Sequence, residues 1–433
     1  MDIELPVVVI GAGPQGLAAA AHLLERGIEP LVLEHGAAAG AAVSGWGHVR
    51  LFSEWPELVD QAARRLLEPT GWIAPRAGCP TGGEWVKEYL APLATALGDR
   101  VRTGLAVTGI SRTGRDKVVD AGRAAQPFEV RATGTDGTEH RFFARAVLDA
   151  SGTWGNPNPA GASGLPALGE KAAAALLEYE IPRSVSDLAG RHIVVLGSGH
   201  SAAHAVLLLA GLVRRAPGTR VEWAIRRDAP SGLSSADDQL PARGALGGRA
   251  QQAVTEGRVA LLTGFRTTEL RRDGDRLSLL SEDGRRLEGV DRVFVLTGFR
   301  PDLEILRELR TALDPSREAV AGLASEIDPN VHSCGTVRGT GVLELAQPDP
   351  DFYILGAKSY GRAPTFLALT GYEQVRSVVA ELAGDHEAAI RNELVLPDSG
   401  VCGGAGDLDG GSCCVPARKQ TIQLGIRPLA VNA

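Results

Sequence analysis

The feature that most limits the folds open to this chain is a unit that occurs twice. In each copy an apolar strand runs into a glycine turn, which opens a helix, and a second apolar strand follows. Alternating strands and helices of this kind build parallel sheets covered by helices. The pieces are predicted at residues 5–10 (LPVVVI), 11–16 (GAGPQG), 17–26 and 30–34 (PLVLE) in the first copy, and at residues 191–196 (RHIVVL), 197–202 (GSGHSA), 202–214 and 220–225 (RVEWAI) in the second.

The two copies remain similar downstream, and this similarity defines the domains. Each continues through a glycine-punctuated β-meander to a closing apolar strand, which ends at Gly152 in the first copy and at Gly298 in the second. A last strand at 352–355 and a helix at 372–382 return to the first unit. The predicted fold class is α/β, with two doubly wound Rossmann-like domains in three layers with β-meanders, the second domain inserted in the first. The predicted boundaries are 1–160 and 300–397 for the first domain, 165–295 for the second, and 398–433 for a flexible tail containing glycine and cysteine.

Composition and charge exclude several classes of function. The 45 Lys+Arg and 52 Asp+Glu residues give a net charge of −7, so no overall basic field attracts a nucleic acid. The acidic N-terminus predicts no secretory signal, and the longest apolar stretch, residues 201–213, is too short for a membrane span. Five cysteines in 433 residues do not resemble a secreted disulfide framework. We therefore expect a cytoplasmic protein.

The first glycine turn has the sequence of a dinucleotide-binding site. Gly11, Gly13 and Gly16 fit G-x-G-x-x-G between a strand and a helix, where the helix N-terminus stabilises a pyrophosphate. Glu34 ends the next strand, where a carboxylate can accept hydrogen bonds from ribose hydroxyls. The alternative is a glycine turn that only packs its helix. The residues predicted to bind this first coenzyme are Gly11, Gly13, Pro14, Gln15, Gly16, Glu34, His35, Trp46, Val49, Arg50, Val107, Ala150, Ser151 and Gly152.

The second glycine turn differs from the first at the tip of the following strand. Gly197, Gly199 and Ala202 repeat the fingerprint, but Arg226 and Arg227 stand where the first copy has its glutamate. Guanidinium groups suit a 2′-phosphate and indicate NADP, although a solvated basic strand end is the alternative. The residues predicted to bind this second coenzyme are Gly197, Ser198, Gly199, His200, Ser201, Ala202, Arg226, Arg227, Thr297, Gly298 and Phe299.

Two dinucleotide sites in one chain imply two coenzymes in redox contact, and the simplest pair is FAD in the first domain and NADPH in the second. The glycine motifs with their strand tips, together with LTGFRPD at 296–302, resemble the two-dinucleotide-binding flavoproteins. These include thioredoxin reductase and flavin-containing monooxygenases. The resemblance covers about residues 5–385 and implies that FAD lies along the first glycine turn. It also implies that four residues near the C-terminal end approach the flavin ring: Gly356, Gly371, Tyr372 and Gln374.

The cysteines argue against a disulfide reductase, which needs two thiols spaced to form a bridge. The sequence has no Cys-x-x-Cys or Cys-x4-Cys, and Ala357 stands where such reductases of this fold carry an aspartate. Several unusual segments resemble instead a bacterial group of FAD- and NADP-dependent monooxygenases encoded with arsenic-resistance genes. The segments are WGHVRLFSEW (46–55), DQLPARGALG (238–247), NVHSCGTVRG (330–339), KSYGRAPTF (358–366) and the cysteine-bearing tail.

Three further groups of residues are candidates for the chemistry. The first copy carries an insertion, mostly at residues 40–99, where we expect a functional loop over the flavin; a surface loop is the alternative. His332 and Cys334 alternate ahead of the last strand as an acid/base and a thiol, or form a packed loop pair. A basic group follows the last strand near flavin or substrate, or forms a surface cluster. The predicted catalytic residues are His332, Cys334, Trp46, His48, Lys358, Tyr360 and Arg362.

The tail supplies a candidate metalloid site. Cys402, Cys413 and Cys414 can present three thiolates to trivalent arsenic, a soft ion that prefers sulfur. The alternative is a disordered tail whose thiols are incidental.

The predicted function follows from the two coenzymes. NADPH reduces the flavin, which reacts with O2 to form a C4a-hydroperoxide that oxygenates a soft nucleophile: a thiol, a sulfide or a trivalent organoarsenical. One alternative is an NADPH-dependent reductase of a metalloid, a quinone or a partner protein. Another is a metalloid-binding sensor flavoprotein without catalysis. The expected partners are a small-molecule substrate and O2, with As(III) or an organoarsenical as the arsenic ligand, and the expected state is a monomer or homodimer.

Overall fold

The computed structural model of the chain describes residues 4–228, 241–328, 339–363 and 366–394. Within these ranges the fold is α/β, as the sequence predicts, with two five-stranded parallel sheets and smaller antiparallel sheets. The strands in chain order are β1 (Val7–Ile10), β2 (Pro30–Leu33), β3 (Val101–Arg102), β4 (Leu105–Arg112), β5 (Phe128–Gly134), β6 (Glu139–Ala144), β7 (Ala146–Asp149), β8 (Leu177–Glu178), β9 (His192–Leu196), β10 (Arg220–Ala224), β11 (Ala260–Leu262), β12 (Thr267–Asp273), β13 (Arg276–Ser281), β14 (Arg286–Val290), β15 (Arg292–Val295), β16 (Leu313–Asp314), β17 (Ala319–Val320) and β18 (Phe352–Ile354).

The helices cover the sheets and fill the long insertion of the first copy. The α-helices are α1 (Pro14–Glu25), α2 (Ala41–Gly45), α3 (Trp55–Leu58), α4 (Gln61–Leu67), α5 (Gly82–Trp85), α6 (Ala91–Leu97), α7 (Glu170–Ala173), α8 (His200–Arg215), α9 (Pro241–Thr255), α10 (Val342–Leu345), α11 (Ala368–Leu382) and α12 (His386–Ile390). A π-helix spans Val86–Leu90, and short 3-10 helices span Glu68–Thr70, Gly98–Arg100, Ala174–Leu176, Ser186–Leu188, Glu304–Leu306, Ala321–Leu323 and Gly356–Tyr360. Among the described residues, no helix combines the length and apolarity needed to cross a membrane.

The two parallel sheets have the same strand order, which is the structural counterpart of the sequence repeat. The first sheet runs β18-β7-β1-β2-β3, and the second runs β8-β15-β9-β10-β11. In both, the strand before the glycine turn is central, and the carboxyl ends of its neighbours lie beside that turn. The outer strands differ in origin, because β18 returns from the C-terminal part of the chain, whereas β8 precedes its own copy.

Local sequence explains how each sheet binds its first helix. The central strand β1 consists of β-branched residues that are buried on both faces, as a parallel sheet requires. Helix α1 presents a buried run of alanines to this sheet, and alanine combines the highest helix propensity with the smallest side chain for close packing. Helix α8 repeats the arrangement on β9, with Ala202, Ala203 and Val206 fully buried.

Three helices begin earlier than the sequence patterns predict. Helix α1 begins at Pro14 rather than at residue 17, α8 at His200 rather than at 202, and α11 at Ala368 rather than at 372. In α1 and α8 the second glycine of the fingerprint is the N-cap, so each helix starts inside the motif. Proline suits the first helical position of α1, since its missing N–H has no partner to lose there.

The insertion at residues 40–99 is helical rather than the loop that the sequence suggested. It contains α2 to α6 with the π-helix, and these pack on α1 through α4 and α6. A buried polar pair joins the insertion to α1, since His22 Nε2 lies 3.0 Å from Asp60 Oδ2. The Asp60 carboxylate also caps α4 by accepting a hydrogen bond from the Ala63 N–H. The insertion therefore forms part of the first domain's core and ends with β3 at the sheet edge.

Candidate functional site

The first glycine turn leaves open space at one position and none at its neighbours. Gly11 has φ +93°, and a Cβ there would lie 2.9 Å from the Ala150 carbonyl oxygen. A Cβ on Gly16 would collide with the carbonyl oxygen of Gly11, so glycine is required where α1 meets β1. A Cβ on Gly13, in contrast, would meet nothing within 4 Å. The space over Gly13, at the N-terminus of α1, fits a pyrophosphate that approaches the backbone closely.

The Glu34 carboxylate lies against this turn. One oxygen accepts from the Ala12 N–H at 2.7 Å and the other from the Gly36 N–H at 2.7 Å. These two bonds hold the side chain over the tip of β2. A carboxylate has about four acceptor positions, so two remain for hydroxyl donors. The residue therefore fits the role of ribose ligand that the sequence predicted for it.

A buried ion pair lies at the carboxyl ends of β7 and β18. Lys358 Nζ is 2.7 Å from Asp149 Oδ2, and both side chains are 0% exposed. Lys358 Nζ also donates to Ser151 Oγ at 3.0 Å, which in turn donates to Asp149 Oδ1 at 2.6 Å. Ser151 follows Ala150, the residue in contact with Gly11, so the pair lies beside the first turn. This arrangement corrects the alternative of a surface basic cluster, because Lys358 is buried.

The side chain of Gln15 joins the first turn to the C-terminal return. Its Nε2 donates to the Ala368 carbonyl at 3.2 Å. Two predicted cofactor residues, Gly356 and Gly371, pack on the same side chain, since a Cβ on either would approach Gln15 atoms to 3.1 Å and 2.6 Å. The return segment therefore reaches the glycine turn through Gln15, and both glycines are needed for that close approach.

Two of the predicted flavin contacts are engaged inside the protein. Gln374 is 0% exposed; its Oε1 accepts from the Gly356 N–H at 2.8 Å, and its Nε2 donates to Ser359 Oγ at 3.1 Å. Tyr372 is buried, and its hydroxyl donates to the Leu58 carbonyl at 2.8 Å. These polar groups fix the return helix on the first domain. That Tyr372 and Gln374 also approach the flavin stays a prediction.

The second glycine turn repeats the geometry of the first. Gly197 has φ +121°, and a Cβ there would collide with the Leu296 carbonyl oxygen. A Cβ on Gly199, the N-cap of α8, would meet nothing within 4 Å. Ala202 in the third position is fully buried between helix and sheet. The same open space over a helix N-terminus is thus present twice.

The strand tip beside the second turn is basic. Arg226 and Arg227 lie just beyond β10, after Ile225. Arg226 is exposed, and its Nη1 donates to the Ala162 carbonyl at 3.2 Å. The Arg227 carbonyl accepts from the Gly264 N–H at 2.7 Å, which fixes this backbone to the segment after β11. A third guanidinium, that of Arg285, donates to the Gly264 carbonyl at 2.8 Å. Such a group of guanidiniums suits a phosphate.

The two chain crossings between the domains pair with each other. Pro157 and Phe299 form an antiparallel β-bridge, and the Asn158 N–H donates to the Gly298 carbonyl at 2.9 Å. Arg300 donates from Nε to Asn158 Oδ1 at 2.8 Å. The motif LTGFRPD therefore forms part of the paired connection between the domains as well as the end of a strand. A small pocket opens beside it, lined by Trp154, Tyr179, Ile181, Ser201, Val295, Leu296, Gly298 and Phe299.

The first part of the segment predicted to cover the flavin is anchored to both domains. Ser44 and Gly45 end helix α2 rather than lying in a loop, and both of their carbonyls accept from Arg183 Nη2 at 2.8 Å. Trp46 follows and packs on Gly82, where a Cβ would come within 2.7 Å of the indole ring. Arg183 precedes the central strand of the second sheet, so these bonds cross between the domains.

The second part of this segment meets helix α8. The Phe52 ring lies 5.3 Å from the His200 ring and 6.2 Å from the His204 ring, measured between centroids. Burial, with His200, Arg249 and His48 nearby, lowers the pKa of His204 to about 4. Burial and the nearby Arg183 guanidinium also lower the pKa of His48. His204 and His48 therefore favour the neutral form here.

The remaining predicted residues are scattered. Tyr360 is buried. The other predicted residues are exposed (His35, Arg50, Thr297 and Arg362) or partly exposed (Val49, Val107, Pro14 and Ser198). Five predicted residues lie outside the described residues: His332, Cys334, Cys402, Cys413 and Cys414. Within the described ranges no group of three His, Cys, Asp or Glu side chains could hold a metal ion.

Sequence reasoning missed two residues that the structure brings to these sites. Asp149 ends a fully buried apolar strand, where a carboxylate needs a partner, and this was the available signal. Phe52 lies within WGHVRLFSEW, but nothing local indicates that it packs on a helix about 150 residues away.

Comparison with known proteins extends these observations. A family model described as pyridine nucleotide-disulphide oxidoreductase matches residues 8–322. A thiamine thiazole synthase from Methanococcus vannielii is 29% identical over 158 residues, which are 35% of this chain and 57% of the synthase. The chain thus spans little more than half the length of that relative.

Two solved structures cover most of the chain. A bacillithiol disulfide reductase from Bacillus cereus has 21% identity and a TM-score of 0.64, covering 88% of this chain and 100% of that chain. DfoA from Erwinia amylovora, described as a cadaverine monooxygenase bound to FAD, has 16% identity and a TM-score of 0.60, covering 92% and 98%. At these identities the likeness is one of fold.

Proposed function

Because the chain belongs to the pyridine nucleotide-disulphide oxidoreductase family, we propose that it is an FAD-dependent oxidoreductase that oxidises NADPH and oxygenates a soft nucleophile. The balanced reaction is NADPH + H⁺ + O2 + substrate → NADP⁺ + H2O + oxygenated substrate. The substrate class is a thiol, a sulfide or a trivalent organoarsenical. The observation that carries the proposal is the pair of glycine turns with matching open space and opposite charge at their strand tips.

The first domain holds FAD. The turn at Gly11 and Gly13 with the N-terminus of α1 binds the pyrophosphate, and Glu34 accepts hydrogen bonds from the ribose hydroxyls. Lys358 lies beside this turn, 2.7 Å from Asp149 Oδ2, and Asp149 also accepts a hydrogen bond from the Ser151 hydroxyl. When bound, FAD accepts a hydride and, once reduced, reacts with O2.

The second domain holds NADPH. The N-terminus of α8 over Gly199 binds the pyrophosphate, and the guanidiniums of Arg226 and Arg227 bind the 2′-phosphate. Trp154 and Phe299, whose ring centroids are 4.8 Å apart, line the pocket beside the start of α8 and exclude water there. The β-bridge between Pro157 and Phe299 orients the second domain relative to the first.

The cysteines favour oxygen over a disulfide as the electron acceptor. The sequence has no Cys-x-x-Cys or Cys-x4-Cys pair. Cys79 lies among the described residues, but burial and the carboxylates of Glu54 and Glu57 raise the pKa of its thiol, which disfavours the nucleophilic thiolate. These observations favour O2 over a protein disulfide as the acceptor of the flavin's electrons.

Isotope incorporation tests this proposal. The FAD-loaded protein is mixed with NADPH and methyl phenyl sulfide under ¹⁸O2, and the product is analysed by mass spectrometry. Incorporation of one ¹⁸O atom into the sulfoxide supports a monooxygenase. NADPH oxidation that proceeds equally fast without O2, in the presence of an acceptor, contradicts it. Arsenite and a trivalent methylarsenical are then compared as substrates to test the arsenic link.

A reductase is the second candidate, and a specific observation favours it. The family description names disulphides, and the structure of the bacillithiol disulfide reductase aligns with this chain over its whole length. In this case NADPH passes two electrons to a low-molecular-weight disulfide, and the balanced reaction is NADPH + H⁺ + RSSR → NADP⁺ + 2 RSH. Anaerobic NADPH oxidation with a panel of such disulfides distinguishes the two candidates, because a monooxygenase stops after one flavin equivalent.

A further inference from the structure

The contact between Phe52 and helix α8 lies where a pyridine nucleotide must bind. His200 is the first residue of α8, and its ring meets the Phe52 ring edge to face at 5.3 Å. His204, one helical turn later, stacks on the same ring at 6.2 Å. The Phe52 side chain therefore lies along the first turn of the helix. This turn carries the N–H groups that a pyrophosphate uses.

Phe52 belongs to a segment that is held in the first domain. Its segment is bound to the first domain on both sides, since the Leu51 N–H donates to the Pro80 carbonyl at 2.8 Å and the Gly82 N–H to the Val49 carbonyl at 2.9 Å. Phe52 also packs on the hydrophobic core of the second domain. The Phe52 ring therefore belongs to the first domain and packs on the second.

We propose that docked Phe52 and the pyridine nucleotide compete for the first turn of α8. A dinucleotide bound across Gly199 and His200 places its charged pyrophosphate oxygens next to the Phe52 ring. The apolar ring takes water away from these oxygens, which costs free energy. Binding of the nucleotide is therefore coupled to release of Phe52 and of the Arg183 bonds to Ser44 and Gly45. The inference rests on the proposed function in one respect: that the second domain binds NADP.

This coupling makes the contact autoinhibitory, because the contact lowers the affinity of the second domain for the nucleotide. In the absence of nucleotide, the Phe52 contact holds the two domains together. Nucleotide binding must break this contact, which costs free energy. The wild-type protein therefore binds the nucleotide more weakly than the same site would without the Phe52 contact. A variant that cannot make the contact should bind nucleotide more tightly, which is the opposite of what loss of a binding residue would do.

The experiment uses the FAD-loaded full chain with NADP⁺ as the probe. Four proteins are compared: wild type, Phe52→Ala, Phe52→Leu, which keeps an apolar side chain, and Phe143→Ala. Phe143 is a partly exposed aromatic of β6 whose ring contacts Arg141, so it serves as the matched control. The NADP⁺ Kd is measured by calorimetry, and hydrogen exchange is followed in peptides covering residues 46–53 and 198–206 with and without saturating NADP⁺.

The proposal expects a threefold to tenfold lower Kd for Phe52→Ala, a Kd near the wild-type value for Phe52→Leu and an unchanged Kd for Phe143→Ala. In the wild type, NADP⁺ should raise exchange of residues 46–53 by several-fold. In Phe52→Ala this exchange should be high already without nucleotide. An unchanged or higher Kd for Phe52→Ala, or wild-type exchange at 46–53 that NADP⁺ leaves unaltered, overturns the competition while leaving the nucleotide site intact. Failure of both wild type and Phe52→Ala to bind NADP⁺ overturns the proposed function as well.

Discussion

Lys358 and Asp149 form a fully buried ion pair, 2.7 Å between Nζ and Oδ2, that joins two strands of the first sheet at the edge where its glycine turn lies. The two residues are far apart in the sequence, with the whole second domain between them. Both side chains are buried, so each provides the counter-charge that the other needs away from water.

Removing one partner of this pair should destabilise the protein strongly. Lys358→Met leaves the Asp149 carboxylate buried without a counter-charge, and we expect the free energy of unfolding to fall by about 3–5 kcal/mol. The double variant Asp149→Asn with Lys358→Met should lose less than the sum of the two single variants. Urea denaturation of the four proteins measures this cycle. Single-variant losses below about 1 kcal/mol would contradict a coupled buried pair.

Alanine substitutions should separate the two roles of glycine in the first turn. Gly13 has φ −79° and open space around it, so Gly13→Ala should keep the melting temperature and lose FAD affinity by about tenfold or more, because the methyl occupies the space of the pyrophosphate. Gly11→Ala should lower the melting temperature too, since φ +93° is strained for alanine. Flavin absorbance after gel filtration and a thermal melt report the two effects. Equal melting temperatures for both variants would contradict this assignment.

Serine substitutions at the second strand tip should change coenzyme preference. In Arg226→Ser with Arg227→Ser we expect the Kd for NADP⁺ to rise by about 10- to 100-fold through loss of charge-assisted hydrogen bonds. The Kd for NAD⁺ should stay within about twofold, because NAD⁺ lacks the 2′-phosphate. Arg272→Ser, an exposed arginine of β12, is the control. A parallel loss for both nucleotides would place the arginines elsewhere than at the 2′-phosphate.

Acid should loosen the contact between Phe52 and α8. The pKa of His204 is about 4 in this contact against its usual 6.5, so the contact is fully stable above pH 6.5 and loses stability as the pH falls from there toward 4. The groups that face His204 are His200, Arg249 and His48, and the lowered pKa of His48 acts with the same sign. We expect intrinsic-rate-corrected exchange of residues 46–53 to rise between pH 7.5 and 5.5. His204→Leu should reduce this rise, and an unchanged rise would assign it to other groups.

The parts of the fold that the sequence predicted are those set by local chemistry. The glycine turns, their flanking strands and the charge at each strand tip are read within about 30 residues, because backbone conformation and helix capping depend on neighbours in sequence. Both turns and the repeated strand order agree with that prediction.

The parts that escaped prediction depend on contacts between distant segments. Tyr372 and Gln374 have polar groups that could serve a ligand as well as a carbonyl, and only the fold shows that they bond to Leu58 and Gly356. Likewise Lys358 could have been a surface residue, since lysine is almost always exposed unless it is paired. The partner Asp149 lies far away in sequence and next to it in space.

The different origins of the two outer strands have a consequence for biosynthesis. The inserted domain has all five strands of its sheet once the ribosome has made residues up to Val295. The first sheet lacks β18 until Ile354 has been added, although its first strand is among the earliest residues made. During translation the second nucleotide-binding unit can therefore complete its sheet while the N-terminal unit still exposes the edge of β7, which makes that edge the surface most in need of protection on the nascent chain.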